Sequence, residues 1–153
     1  MFDDKPKKMV FIGSDHAGFS VKGELKKHLE GNGAYDLTDL GCFSEEPCDY
    51  PDIAREVAEK VLEHENSVGI LLCGSGIGMS IAANKLQGVR CALAVNEKMA
   101  EMSRRHNNAN VVALAAREVD VEQNKLIVDK FLSTEFEKGE ERHVRRVDKL
   151  NGM

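Results

Sequence analysis

Residues 68–85 read VGILLCGSGIGMSIAANK, and this stretch decides the fold. It begins with an apolar run as long as a buried strand and ends in a segment whose apolar residues have helical spacing. Between them lies a turn that contains Gly74, Gly76 and Gly78, where the backbone can bend sharply and approach a ligand closely. The N–H groups and the dipole at such a helix start favour a negatively charged ligand.

The same alternation of strand and helix continues through the chain. Strand-like runs lie at 9–12, 34–40, 91–95 and 111–114, and helical spacing occurs at 19–29, 53–64, 78–86, 97–106 and 119–132. This order predicts a doubly wound α/β fold with a parallel sheet, whose ligand binds at the carboxyl ends of the strands. We expect a single domain over residues 1–153, with an N-terminal extension (1–8), a loop (41–51) and a charged, helical C-terminal tail (135–153).

Composition and charge exclude several classes of protein. The hydrophobic fraction of 42% is ordinary for a globular protein, and no apolar run approaches the roughly 20 residues of a membrane span. A net charge of -5 argues against a protein that wraps nucleic acid. The N-terminal residues show no signal-peptide pattern, and the four cysteines show neither a C-x-x-C pair nor metal-like spacing. We therefore predict reduced thiols and a cytoplasmic location.

Cys73 ends the apolar strand and immediately precedes the glycine turn. The positive potential of the following helix start favours the thiolate form, which is able to act as a base. The alternative is that Cys73 is a small buried apolar residue and that the glycines serve only the turn. Dinucleotide binding is disfavoured because the spacing is G-x-G-x-G in mid-chain, and a P-loop is disfavoured because no Gly-Lys-Ser/Thr follows.

Polar residues that suit a sugar phosphate follow two other predicted elements. Asp15 and His16 come after the first strand, where Asp15 is also a candidate helix N-cap. His106 and Asn107 end the helix that follows the 91–95 run, and a histidine there is able to move a proton to or from a sugar oxygen. A surface histidine and a simple helix cap remain open as alternatives.

Arginines form the third polar group. Arg117 follows the last strand, and the tail contains Arg142-His143-Val144-Arg145-Arg146. Such a run is usually a solvated face, whereas guanidinium groups that converge on one point would bind a phosphate.

Five motifs in this order resemble the type B ribose-5-phosphate isomerase family. They are GSDHAG at 13–18, DYP at 49–51, CGSGIGMSIAANK at 73–85, SRRHNNANV at 103–111 and RHVRR at 142–146. The resemblance runs from about residue 8 to residue 150, and the cysteine-glycine segment is its most specific part. It implies a flavodoxin-like, Rossmann-like sheet of five parallel strands and no metal ion or organic cofactor. It also implies homodimers, or dimers of dimers, that bind a sugar phosphate between two chains.

The resemblance implies that the protein interconverts ribose 5-phosphate and ribulose 5-phosphate through a cis-enediolate, in the non-oxidative pentose phosphate pathway. Cys73 would move the proton between C1 and C2, and Ser75 would help hold the substrate. His106 would open the sugar ring, with Asp15 assisting there. The remaining implied substrate contacts are Tyr50 at the sugar, Asn107 at the reacting oxygens, the amides of Gly74, Gly76 and Gly78 at the enediolate, and His16, Arg117, Arg142 and Arg146 at the phosphate.

Two other functions remain open at this point. The wider family includes isomerases of allose 6-phosphate and galactose 6-phosphate, and the same scaffold is also compatible with a non-catalytic sugar-phosphate-binding module. One branch of the family replaces the cysteine by a glutamate after the glycines, but here that position is Met79, so Cys73 has no substitute. Cys42, Cys48 and Cys91 are expected to be packing or surface residues.

Overall fold

The computed structural model describes residues 5–153 and contains one five-stranded parallel sheet with helices on both faces. The predicted extension at 1–8 lies partly outside the described residues. The elements are β1 (Lys8–Ser14), a 3-10 turn (His16–Gly18), α1 (Phe19–Glu30), β2 (Tyr35–Asp39), α2 (Tyr50–Glu63), β3 (Val68–Cys73), α3 (Ile77–Ala83), β4 (Cys91–Leu93), α4 (Glu97–Arg105), β5 (Val111–Ala115), α5 (Val121–Ser133) and α6 (Glu141–Asn151).

The strands lie in the order β2-β1-β3-β5-β4, which confirms the predicted α/β class and parallel sheet. From β1, the chain adds β2 on one side of the sheet and the remaining strands on the other, beginning with β3. The carboxyl ends of β1 and β3 therefore form the expected ligand crevice. The last two strands exchange places relative to the 2-1-3-4-5 order of flavodoxin. β5 is buried along its whole length and takes the interior position, whereas the half-buried β4 forms the edge.

Two apolar layers hold the helices to the sheet. On one face of the sheet, the apolar sides of α1, α4 and α5 pack against buried side chains of β1, β3 and β5. These side chains include Ile12, Ile70 and Leu114. On the other face, α2 and α3 cover residues that include Leu71 and Cys73. The thiol of Cys73 therefore belongs to the α2/α3 side of the sheet.

Local chemistry moves two helix boundaries from the predicted positions. α2 begins at Tyr50 rather than at 53, because Pro51 fits the first turn of a helix. α3 ends at Ala83 rather than at 86, since the amides of Lys85 and Leu86 donate to carbonyls three residues earlier and tighten the chain into turns.

The charged tail forms a docked helix. His143 and Val147 of α6 are buried, and the guanidinium of Arg90 donates to Asn151 Oδ1 over 2.7 Å. None of the helices within residues 5–153 is long and apolar enough to cross a membrane.

A buried lysine anchors the loop that precedes α2. The Lys22 side chain is 1% exposed, and its ammonium group donates to Asp39 Oδ1 over 2.8 Å and to the carbonyl of Cys42. Burial acts to raise the pKa of Asp39, but hydrogen bonds from Lys22, the Gly41 amide and Lys26 outweigh it and leave the pKa below its ordinary value. This cluster fixes the start of the loop whose later residues reach the crevice.

Candidate active site

Cys73 lies at the carboxyl end of β3 and is 5% exposed. The amide of Gly76 donates to its sulfur over 3.1 Å, an arrangement that stabilises negative charge on the thiol. Gly76 has a φ of 77°, and a Cβ there would lie 2.6 Å from Leu93 Cδ1 and 3.0 Å from the Leu114 carbonyl. Both the backbone conformation and the close approach therefore require glycine at this position.

Arg117 extends over the start of the glycine turn from the neighbouring strand. The amides of Ala116 and Arg117 donate to the carbonyls of Cys73 and Gly74, each over 2.9 Å, and these bonds tie the end of β5 to the turn. A Cβ on Gly74 would lie 3.3 Å from Arg117 Cδ. The Arg117 guanidinium is exposed and pairs with no carboxylate within residues 5–153, so its charge is available to an anion.

Tyr50 and Ser75 border the turn on the α2 side. The Tyr50 ring packs so closely on Gly78 that a Cβ there would lie 2.8 Å from its Cε2 and Cζ atoms. Ser75 Oγ accepts a hydrogen bond from the Ile77 amide over 3.2 Å. Within residues 5–153 the amides of Gly74 and Ser75 donate no hydrogen bond, so both are available to a developing oxyanion.

Asp15 and His16 reach the same crevice from the end of β1. The Asp15 amide donates to the Leu72 carbonyl over 3.1 Å, which places Asp15 beside the end of β3. Its carboxylate accepts from the Gly18 amide over 3.1 Å, so the N-cap interpretation is correct for this side chain. His16 Nδ1 accepts from the Cys48 amide over 3.4 Å, which links it to the loop before α2.

His106 and Asn107 follow α4, at the other end of the sheet. The His106 ring stacks on the ring of His143 from α6, with centroids 4.3 Å apart and an interplanar angle of 19°. Behind this pair, Arg105 Nε donates to Glu137 Oε1 over 2.6 Å, and His143 Nε2 lies 3.5 Å from Glu137 Oε2. Burial, followed by repulsion from His106 and Arg142, lowers the pKa of His143 and favours its neutral form.

Arg142 and Arg146 lie on the exposed side of α6. Arg142 Nε is 3.5 Å from Glu140 Oε1, a long and solvated ion pair. Arg145 and Arg146 are also exposed. The tail therefore presents the predicted positive surface next to His106, and not next to Cys73.

The strand register separates the predicted residues into two groups. β3 and β5 pair so that Gly69 aligns with Val111 and Cys73 with Ala115. His106 precedes the amino end of β5, whereas Cys73 aligns with the residue at its carboxyl end. The two residues are therefore separated by at least the length of β5, about 13 Å at roughly 3.3 Å per residue. The carboxyl-edge group comprises Asp15, His16, Tyr50, Cys73, Gly74, Ser75, Gly76, Gly78 and Arg117, and the amino-edge group comprises His106, Asn107, Arg142 and Arg146.

A cleft of about 740 Å³ accompanies the amino-edge group. Its walls come from the segment between α3 and β4, from Asn107 and Ala109, and from the end of α6. Cys73 does not line it, so this cleft contains no candidate base.

Sequence reasoning missed Glu137 and the arrangement of the two histidines. Glu137 lies in the charged tail, where an acidic residue resembles many solvated ones. Its contacts with Arg105 and His143 arise only because the segment before α6 lies against the end of α4. The burial of Arg104 was also not predicted. Its guanidinium donates to the backbone carbonyls of Ala109 and Thr134, so it stabilises the loop after α4.

Comparison with known proteins gives a consistent set of relatives. The family model described as Ribose/Galactose Isomerase matches residues 10–150. Ribose-5-phosphate isomerase B of Escherichia coli (strain K12) is 42% identical over 146 residues, which cover 95% of this chain and 96% of the relative. The probable ribose-5-phosphate isomerase B of Mycoplasma genitalium is 45% identical over 143 residues, 92% of each chain.

Solved structures agree with the sequence relatives. A ribose 5-phosphate isomerase from Thermotoga maritima superposes with a TM-score of 0.90 at 46% identity, over 95% of this chain and 99% of that one. The Mycoplasma genitalium ribose-5-phosphate isomerase B with bound ribulose-5-phosphate superposes with a TM-score of 0.89 at 42% identity, over 97% of each chain.

Proposed function

This chain belongs to the ribose/galactose isomerase family, and we propose that it interconverts ribose 5-phosphate and ribulose 5-phosphate. The hydrogen bond from the Gly76 amide to the Cys73 sulfur is the observation that supports the proposal most directly. The reaction requires a base for a weakly acidic C–H bond and donors for the oxyanion that forms next to it. Cys73 and the adjacent amides supply both at one strand end.

In the proposed reaction, His106 first opens the furanose by donating a proton to the ring oxygen and taking one from the anomeric hydroxyl. The Cys73 thiolate then removes the C2 proton of the open-chain aldose, and the electron pair moves to the carbonyl oxygen on C1. The free amides of Gly74 and Ser75 stabilise the resulting cis-enediolate. Cys73 returns its proton to C1 while the hydroxyl proton on O2 is transferred to O1, which gives the ketose with its carbonyl at C2.

The proposed phosphate ligands belong to both groups, one at the carboxyl ends of the strands and one at the amino ends. Arg117 and His16 would hold the phosphate at the carboxyl edge, and Arg142 and Arg146 would reach it from a second chain. Guanidinium groups suit this role because their planar donors match phosphate oxygens.

We propose that two copies of the chain share each site, with Cys73 from one and His106 from the other. The separation of these residues along the sheet supports this arrangement. Exposed apolar side chains border the edge strand next to the turn, and a second copy would cover them. They are Ile77, Ile81, Val95 and Met99, with exposures of 53%, 59%, 42% and 41%.

Formation of ketose from ribose 5-phosphate by the purified protein in EDTA tests the function. Cys73→Ala is expected to lower kcat by about 10²- to 10⁴-fold or more, because it removes the base. Cys91→Ala is the matched control, since only the backbone of Cys91 bonds to Asn84 and its thiol lies outside the crevice. Equal rates for Cys73→Ala and wild type would contradict the assignment, and ligand-induced stabilisation without turnover would favour a binding module.

The family description also names galactose, which favours a six-carbon sugar phosphate as the second candidate. Allose 6-phosphate and galactose 6-phosphate, assayed beside ribose 5-phosphate, separate these substrates by kcat/KM. A higher kcat/KM for either hexose phosphate would reassign the substrate and leave the role of Cys73 intact.

We further propose that the protein acts in the cytoplasm, in the non-oxidative pentose phosphate pathway. Cys42, Cys48, Cys73 and Cys91 are all free thiols, which suits a reducing compartment. The proposed reaction supplies the ketose and aldose pentose phosphates that this pathway exchanges.

A further inference from the structure

Three side chains that commonly bind transition metals converge beside the predicted ring-opening residue. His106, Glu137 and His143 each offer one ligand atom, and these atoms lie within 4.8 Å of one another. Two histidines and one glutamate form a well-known ligand set for zinc. Ligand atoms around a tetrahedral zinc ion lie roughly 3.3 Å apart, so the three groups would need to approach one another by up to about 1.5 Å.

An unsatisfied nitrogen points independently to a missing partner. His143 is 6% exposed, and its Nε2 atom has no hydrogen-bond partner within residues 5–153. The nearest carboxylate oxygen, Glu137 Oε2, is 3.5 Å away. A buried polar atom without a partner is costly, and a metal ion would satisfy it.

We propose that His106, Glu137 and His143 form a binding site for a zinc-type divalent cation, and that the bound ion inhibits the isomerase by occupying His106. The inhibitory part rests on the proposed function, in which His106 must exchange protons with the sugar. The binding part does not depend on turnover. The ion is a regulator here and takes no part in the reaction.

The surroundings of the cluster prepare two of the three ligands. Arg105 of α4 holds Glu137, since it donates to Glu137 Oε1 and is itself oriented by a 3.0 Å pairing with Glu101. Glu137 Oε2 is thereby left facing the histidines, as outer contacts orient ligands in known metal sites. Burial of His143 on α6 fixes the position of the second ligand.

The third ligand has to move. The two imidazole rings are nearly parallel, so their lone pairs do not point at one position. His106 is half-buried at the end of α4, and a turn of its ring would direct a nitrogen toward His143 Nε2 and Glu137 Oε2. Binding of the metal therefore pulls His106 away from its stacked orientation, which is the physical basis of the inhibition.

Nitrogen ligands select the class of ion. Imidazole suits zinc, cobalt, nickel and copper, whereas magnesium and calcium prefer sites made of oxygen atoms. We therefore expect Zn²⁺ and Co²⁺ to bind, and Mg²⁺ to have no effect at equal concentration.

Binding is tested in the metal-free Cys73→Ala protein, so that the reactive thiol is not a ligand. Calorimetric titration with Zn²⁺ is expected to show one site per chain, and Co²⁺ is expected to give the visible absorption of a tetrahedral site with nitrogen and oxygen ligands. In that background Glu137→Gln and His143→Gln should weaken binding at least tenfold, as loss of a ligand does. Circular dichroism verifies that each variant is folded.

His28→Gln is the matched control, because His28 also contacts a carboxylate, with Nε2 2.8 Å from Asp129 Oδ1, but no third ligand of the same kind completes a set there within the described part of the chain. Its affinity for Zn²⁺ should equal that of the parent protein. Absence of binding, or equal loss in His28→Gln, would overturn the proposal. So would unchanged binding in a folded Glu137→Gln protein.

Inhibition is then measured with ribose 5-phosphate in the Cys73-containing protein. Zn²⁺ should inhibit this protein at lower concentration than it inhibits Glu137→Gln, each relative to its own rate in EDTA. Equal sensitivity would overturn the inhibitory role. Lack of turnover in EDTA would instead refute the proposed function and leave the binding result to stand by itself.

Discussion

Asp39 shows at the scale of single residues how a charge far from the thiol supports the crevice. Its carboxylate pairs with the buried Lys22 and with Lys26, and Lys22 also holds the Cys42 carbonyl of the loop before α2. This loop carries Cys48, whose amide donates to His16. The ion pair therefore supports both the free energy of folding and the position of a predicted phosphate ligand.

Asp39→Asn should destabilise the protein by about 3–5 kcal/mol near neutral pH, because it leaves the Lys22 charge buried without its partner. The native pKa of Asp39 lies below its ordinary value of 3.8, so its contribution is fully present above that value and is lost as the pH falls through the native pKa. Denaturant unfolding from pH 7 to about pH 2 should show a constant difference above roughly pH 4 and convergence of the two proteins below it. A difference that stays constant across this range would contradict the role of the ion pair.

Single residues also show where sequence reasoning fails. Cys73, Asp15 and Arg117 follow predicted strands, and their arrival at one sheet edge follows from the parallel order of the strands. Lys22 has the helical spacing of a charged surface residue, and its burial depends on Asp39 from another element. Patterns in the sequence report local periodicity, and they do not report which distant partner neutralises a charge.

At the scale of secondary-structure elements, the unit of β3, the glycine turn and α3 shows what local spacing predicts and what it does not. Its strand, turn and helix were predicted from spacing alone, because a buried strand and a glycine turn each have a local signature. Its shorter helix was not predicted, since residues 84–86 have helical composition and the turns that replace the helix depend on hydrogen-bond geometry.

Substitution of two glycines by alanine should have opposite effects on stability. Gly76→Ala places a side chain at positive φ and against the Leu114 carbonyl, so we expect a loss of about 1–3 kcal/mol or more. Gly23→Ala meets no atom within 4 Å in α1 and should stabilise the protein by about 0.5–1 kcal/mol. Chemical denaturation measures both, and destabilisation by both to the same extent would refute the local argument.

At the scale of the whole molecule, the sheet separates residues that the sequence motifs group together. The motifs predict one set of substrate contacts, and the resemblance implies that two chains share it. Only the register of β3 with β5 shows that His106 and Cys73 lie at opposite edges of one sheet. The proposed division between chains follows from the family resemblance and from this register, and not from composition or spacing.

A mixture of Cys73→Ala and His106→Ala subunits tests the shared site. After unfolding and reassembly in equal amounts, half of the pairs are mixed and each mixed pair has one intact site, so activity should recover to roughly a quarter of the wild-type value. Cys73→Ala mixed with Arg117→Ala is the control, because both changes affect the same edge and no mixed pair has an intact site. Lack of recovery in the first mixture, despite subunit exchange shown by mass spectrometry, would contradict sharing.

The opposite placement of Cys73 and His106 also determines how the rate depends on protein concentration. Under the proposed shared site, a lone chain holds two incomplete halves, so turnover would require an encounter between chains as well as a substrate. Specific activity should be constant in concentrated solution and should fall on dilution below the dissociation constant of the pair, and added substrate should slow this decline by bridging the two chains. Progress curves begun from a highly diluted stock would then show a lag whose length shortens as protein concentration rises.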